Sequence, residues 1–125
     1  MAHIFLSQLK TVLNNCIDEL EQIHFLFSRN PETDFTRKRK LTFKEYIQFM
    51  LLMQGKTVSN EILDFFSHFL SAPSKSAFTQ QRYKLLPEGW DFLFHSFVTQ
   101  CRSLSDDLYC GYRLLACDGS DVNIA

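Results

Sequence analysis

The sequence lacks three features that would each indicate a particular class of protein. No Cys-x-x-Cys pair occurs and no histidine falls at metal-ligand spacing from a cysteine, so we do not expect a zinc site. The longest apolar run, residues 49–53, is far shorter than the roughly 20 residues of a membrane span. The N-terminus does not join a cationic segment to a long apolar one, as a signal peptide does. We therefore expect a cytoplasmic protein without a membrane partner, whose four cysteines are reduced thiols: Cys16, Cys101, Cys110 and Cys117.

The composition fits one globular core. Hydrophobic residues make up 46% of the 125 residues and charged residues 22%, which is typical of a folded domain rather than a disordered tail. No internal repeat or low-complexity tract occurs. Apolar residues recur at helical spacing through most of the chain, so the predicted fold class is mainly α.

Charge is unevenly distributed although the net charge is only -1. Residues 35–86 contain nine Lys and Arg against three acidic residues, a net charge of +6, whereas residues 1–34 carry -3 and residues 87–125 carry -4. A basic block between acidic flanks is expected of a protein that binds a polyanion. Chance clustering of cations on a solvated face is the alternative.

Local signals place five helices. An uninterrupted apolar stripe predicts the first over residues 4–27, with an acidic outer face suited to packing against the domain or against a second subunit in a homodimer. Thr42 and Glu45 form a capping-box pattern for a helix over 43–54, which Gly55 is expected to end. Ser59 is expected to cap a third helix that reaches Leu70, and Ser74 is expected to cap a fourth helix over residues 75–86. Pro87 is expected to begin a fifth helix, which continues through an aromatic stripe to Leu104.

Four consecutive cations, Arg37, Lys38, Arg39 and Lys40, precede the helix start at Thr42. Side-chain charge and free backbone amides then favour the same ligand, so this cluster is expected to contact DNA phosphates, the alternative being a solvated basic loop. The short connection between the third and fourth helices predicts a helix-turn-helix pair. On the fourth helix, the residues expected to face DNA have side chains able to contact bases or phosphates: Lys75, Ser76, Thr79, Gln80, Arg82, Tyr83 and Lys84.

The C-terminal segment changes character. Residues 114–117 form a short apolar run, Asp118-Gly119 is a turn pair, and alternation resumes at 122–124, a pattern that predicts the start of a β-hairpin. Asp118 then stands at the end of a buried strand, where a carboxylate is held rigidly and stays open to a cation. A turn-forming Asp is the alternative reading of the same pair.

Three segments carry a family resemblance: Leu-Leu-Ala-Cys-Asp-Gly-Ser-Asp-Val-Asn-Ile at 114–124, Phe-Thr-Arg-Lys-Arg-Lys-Leu-Thr-Phe at 35–43 and Ser-Lys-Ser-Ala-Phe-Thr-Gln-Gln-Arg-Tyr-Lys-Leu at 74–85. The chain resembles the N-terminal part of bacterial insertion-sequence transposases of the DDE type. That resemblance implies a helical region that binds double-stranded DNA at transposon ends, followed by an RNase H-like domain. It also implies that Asp118 is the first of three carboxylates that hold Mg²⁺.

The resemblance divides the chain into a helical DNA-binding domain (1–104), a linker (105–111) and the first strand or hairpin of a truncated RNase H-like domain (112–125). The second Asp and the Glu are expected beyond residue 125, so the chain is expected to be inactive alone. As a DNA-binding protein it is expected to be nucleoid-associated. Two alternatives stay open. One is a non-enzymatic DNA-binding regulator, including a truncated transposase that interferes with the intact one, and the other is a helical module for an acidic protein partner.

Overall fold

The computed structural model describes residues 2–67, 70, 72–104, 109–112 and 119. Its helices are α1 (Ala2–Gln22), α2 (Phe43–Leu52), α3 (Val58–Phe66), α4 (Lys75–Arg82) and α5 (Pro87–Arg102), and a 3-10 turn at His24–Phe27 follows α1. The mainly α class is therefore confirmed. In these ranges the only β pairing consists of isolated bridges. Asp118 and most of the expected C-terminal hairpin lie outside the described residues.

Helix starts follow the capping signals closely. Thr42 and Glu45 form the complete capping box at the start of α2, and the Ser74 hydroxyl accepts a hydrogen bond from the Ala77 amide at 3.1 Å. Pro87 is the first residue of α5, as predicted. The cap of α3 was predicted wrongly, because the Thr57 side chain, two residues before Ser59, accepts from the Asn60 amide.

Helix ends come earlier than the apolar patterns predict. α1 ends at Gln22 and continues only as a 3-10 turn, α2 ends at Leu52, and α4 stops at Arg82 rather than at residue 86. α3 ends at Phe66 because Ser67 adopts a left-handed conformation with φ of 50° and closes the last turn onto the Leu63 carbonyl. The connection from α3 to α4 thus spans residues 67–74, twice the expected length.

An aromatic cluster holds α2, α3 and α4 together. The Phe49 ring of α2 lies 4.9 Å from Phe78 of α4 and 5.4 Å from Phe65 of α3, centroid to centroid, in edge-to-face geometry. Tyr46 also contacts Phe78. α2 is buried on one side only, since Leu52 is 63% exposed.

The antiparallel pair formed by α1 and α5 completes the core. Cys16, Ile17 and Leu20 of α1 are fully buried, and Leu93 of α5 is 4% exposed. The acidic side of α1 contacts this same domain, since Asp18 pairs with Lys44 at 2.5 Å. The structure exposes Phe94, which helical spacing places on the aromatic stripe expected to be buried. Phe92 of α5 instead packs on Phe27 in a tilted orientation, with 5.4 Å between ring centroids.

A backbone bridge joins the end of α1 to the end of α4. Ser28 and Leu85 form an antiparallel pair, in which the Arg29 amide donates to Lys84 and the Leu86 amide donates to Phe27, each at 2.8 Å. Gly89 of α5 lies against this bridge, where an added Cβ would be 2.8 Å from a Leu85 methyl carbon. These contacts fix where α4 ends.

A tight turn at residues 109–112 lies where the expected linker meets the expected C-terminal segment. Tyr109 and Tyr112 exchange two backbone hydrogen bonds, of 2.8 and 2.9 Å, across Cys110 and Gly111. Both central residues have positive φ, as a two-residue hairpin turn of the primed type requires.

Candidate nucleic-acid interface

The basic loop, residues Arg37–Lys40, is held between two apolar anchors. Before it, the Phe35 ring packs edge to face on Phe43 at 4.9 Å. After it, Leu41 is buried in the core. All four cations are exposed. The anchors thus fix both ends of a short loop whose charges project into solvent.

A buried carboxylate shapes the approach to this loop. Asp34 is 5% exposed and accepts a hydrogen bond from the Asn30 amide at 2.8 Å, which closes the turn after α1. Phe35 then adopts a φ of 59°, an uncommon value for a residue with a Cβ. This backbone conformation brings the Phe35 ring to the core immediately before the cations begin.

α4 has one buried and one exposed side, as predicted. Phe78 and Gln81 are buried, and Leu85 just beyond the helix is buried too. The residues predicted to contact DNA are exposed, with Lys84 partly buried: Lys75, Ser76, Thr79, Gln80, Arg82, Tyr83 and Lys84. The polar side of α4 is therefore available to a ligand.

Two adjoining cavities bring the basic loop and α4 together. The larger, of about 670 Å³, is bordered by Arg39 and Lys40 of the loop and by Lys75 and Gln80 of α4. The smaller, of about 190 Å³, is bordered by Arg37, Lys38 and Arg39 and by Lys84. Gln81 lines both. Two cationic segments separated by more than thirty residues of sequence thus form one surface.

Two contacts hold these segments in place. The Lys40 ammonium donates to the Leu70 carbonyl oxygen at 3.3 Å, which links the basic loop to the connection before α4. The Lys84 ammonium lies over the Phe35 ring, 5.8 Å from its centroid, a favourable position for a cation on an aromatic face. Arg29 adds a third link, because its Nε donates to the Tyr83 carbonyl at 3.0 Å.

One carboxylate, Glu21, borders the smaller cavity, but among the described residues it forms no ion pair with the cations of this surface. The three acidic residues of the basic block have other partners: Glu45 caps α2, Glu61 accepts from two backbone amides, and Asp64 pairs with Lys56 at 2.6 Å. Within the part of the chain that the structure describes, no ion pair involves any of seven cations: Arg37, Lys38, Arg39, Lys40, Lys75, Arg82 and Lys84. Six of the seven border the two cavities.

Sequence reasoning missed one residue of this surface. Gln81 falls on the side of α4 that helical spacing turns toward the core, yet it lines both cavities and its Oε1 is buried without a hydrogen-bond donor. No local pattern indicates an unpaired buried atom, because its environment is assembled from the basic loop, α2, α3 and α4.

The remaining predicted site, Asp118 with its Mg²⁺, lies outside the described residues. Among the residues that are described, no group of three His, Cys, Asp or Glu side chains is arranged to hold a metal ion. Cys16, Cys101 and Cys110 are free thiols, and burial raises the pKa of Cys101, with Cys16 adding to the effect. Across the described ranges every helix is too short or too polar to cross a lipid bilayer.

Comparison with known proteins does not identify a relative. No family model matches the chain, and neither a curated protein nor a solved structure matches it.

Proposed function

We propose that residues 1–104 bind duplex DNA, with the basic loop on the phosphate backbone and α4 in the major groove. The observation that carries this proposal is the shared surface on which two cationic segments, distant in sequence, border the same cavities and form no ion pair with the described acidic residues. Neutralising phosphates releases condensed counterions, so unpaired lysines and arginines contribute far more to binding than paired ones.

The dimensions and surroundings of α4 fit this role. α4 is an eight-residue α-helix, and an α-helix with its side chains is about 10–12 Å across, which fits the roughly 12 Å width of the major groove. Gln80 and Lys75 on its exposed side supply donors for base edges. α2, α3 and α4 pack around Phe49 and Phe78 and leave the polar side of α4 open to a ligand.

The resemblance of three segments to DDE transposases extends the proposal. On that basis the DNA is the end of an insertion sequence, and the chain is the N-terminal part of a transposase. Asp118 is then the first of three carboxylates for Mg²⁺, an ion that would supply Lewis-acid chemistry for phosphodiester cleavage. This part rests on the resemblance alone.

A non-enzymatic DNA-binding regulator would use the same surface. The encoding DNA separates the two functions. A reading frame that resumes past codon 125 with further acidic motifs supports the transposase, and a frame without them supports the regulator.

Titration of a fluorescein-labelled 30-base-pair duplex, followed by anisotropy at several salt concentrations, tests DNA binding. If about six phosphates are neutralised, log affinity should fall against log salt with a slope of roughly -5. A chain that stays folded by circular dichroism but shows no salt-dependent binding at low ionic strength would refute the proposal.

A further inference from the structure

Gln81 has an incomplete set of hydrogen bonds. The residue is 6% exposed, and its Oε1 is the one buried side-chain nitrogen or oxygen without a partner among the described residues. A buried acceptor without a donor destabilises the fold, because the hydrogen bond it made to water when unfolded is not replaced. Gln81 lines the larger cavity, so a ligand there can supply the missing donor.

The larger cavity is lined by both cationic and apolar side chains. Arg39, Lys40 and Lys75 place positive charge at its border, and no carboxylate lines it. Its apolar surface is supplied by Leu41, Ile62, Leu63, Ala72, Pro73 and Ala77. Its volume of about 670 Å³ lies in the range of roughly 300–1,000 Å³ typical of sites for small ligands.

A nucleotide complements these walls. Its phosphate matches the cations, the faces of its base match the apolar side chains, and an exocyclic amine supplies the donor that Gln81 Oε1 lacks. In a duplex the amines of adenine and cytosine still offer one hydrogen in the major groove, but the faces of the base are covered by stacking. The base must therefore leave the stack for its faces to contact the apolar side chains of the cavity.

We propose that this cavity receives one unpaired, amine-bearing nucleotide of the bound DNA, with its amine donating to Gln81 and its phosphate next to Arg39, Lys40 and Lys75. The inference rests on the proposed DNA binding and adds recognition of an extrahelical base to it. Extruding a paired base costs free energy, so DNA in which one nucleotide already lacks a partner is the preferred ligand.

The test compares three duplexes that differ at one position: a fully paired duplex, the same duplex with one bulged adenine, and one with a bulged 2′-deoxynebularine, a purine without the amine. We expect the adenine bulge to bind about tenfold more tightly than the paired duplex and about tenfold more tightly than the nebularine bulge. Gln81→Leu, which keeps the size of the side chain, should abolish the difference between adenine and nebularine. Gln48→Leu, a matched change on α2 where Gln48 contacts Asn14, should keep it.

The outcomes separate this inference from DNA binding itself. If no duplex binds, the proposed function fails. If the paired duplex binds and the adenine bulge binds no better, DNA binding stands and the inference is wrong. If replacing a paired adenine by nebularine gives the same loss as in the bulge, the amine is read in the groove and the cavity assignment is overturned. Should Gln81→Leu unfold, the comparison of adenine with nebularine on the unaltered chain decides alone, and Gln81→Met provides a second variant.

Discussion

Lys44 of α2 and Asp18 of α1 form an ion pair, with 2.5 Å between Nζ and Oδ1. Lys56 and Asp64 form another at 2.6 Å, and hydrogen bonding to Asp64 raises the pKa of Lys56. These pairs divide the basic block into cations that have a carboxylate partner and cations that have none among the described residues. A paired cation gains less from a phosphate, because it must first lose its carboxylate.

Replacing Arg37, Lys38, Arg39 and Lys40 by Ala should weaken binding to every duplex alike and reduce the steepness of the salt dependence by about 3 to 4. Lys44→Ala together with Lys56→Ala removes two positive charges from the same block as a matched control, and should change the slope by less than about 1. Anisotropy titrations at four salt concentrations measure both. Equal losses of slope per charge would mean that the unpaired surface has no special role.

Base reading by α4 predicts a different phenotype. Gln80→Ala or Lys84→Ala should reduce the preference for a selected sequence over random DNA by about 1–3 kcal/mol per lost base contact, with little change on random DNA. The sequence is obtained by selection from a random duplex library. If both variants lose affinity equally on selected and random duplexes, α4 contacts only the backbone.

Glu61 should be a major contributor to stability. It is 5% exposed, and its Oε1 accepts from the Gln54 and Lys56 amides at 2.7 and 2.9 Å, which holds the turn between α2 and α3. Glu61→Ala leaves both amides without their acceptor and should lower the free energy of unfolding by about 3 kcal/mol in urea titrations. Asp64→Ala removes an exposed ion pair and should cost less than about 1 kcal/mol.

Because the Tyr46 hydroxyl is buried, we expect the free energy of unfolding to fall at alkaline pH. Burial raises the pKa of Tyr46 from 10.0 to about 12, against a smaller opposing effect of Arg82. Between about pH 10 and 12 the Tyr46 hydroxyl therefore keeps its proton in the folded state but loses it in the unfolded chain. The resulting stabilisation is complete below pH 10 and declines as pH rises through about 12. Urea titrations between pH 9 and 12 should show a decline that is steeper than in Tyr46→Phe, which has no proton to lose. Parallel curves would contradict the assignment.

Helix starts could be predicted because their determinants are local. Thr42 with Glu45, Ser74 and Pro87 act on amides within one turn of themselves, so a short sequence window contains the information. Helix ends could not be predicted in the same way, because α3 ends at Ser67 and α4 ends near Tyr83 without a Gly or Pro to mark the position. The end of α4 depends on Ser28 and Arg29, which are far away in sequence.

The candidate surface was predictable as a set of residues but not as an arrangement. Charge and helical periodicity identified the basic loop and the exposed side of α4 separately. Their proximity depends on Phe35, Leu41 and Phe78, apolar residues whose partners only the folded chain specifies. For the same reason, the unpaired acceptor of Gln81 could not be predicted from the sequence.

The backbone bridge between Ser28 and Leu85 ties α4 to the first helix during folding as well as in the final structure. Arg29 and Tyr83 are 54 positions apart, so the chain between them must close a long loop before their hydrogen bond forms. α4 is therefore expected to settle late, after α1 has docked. A protease cut between Pro31 and Thr36 would release the segment that holds the last turn of α4, and transplanting α4 with its neighbours α2 and α3 would omit it. We therefore expect the smallest fragment that keeps this surface folded to run from α1 to α5.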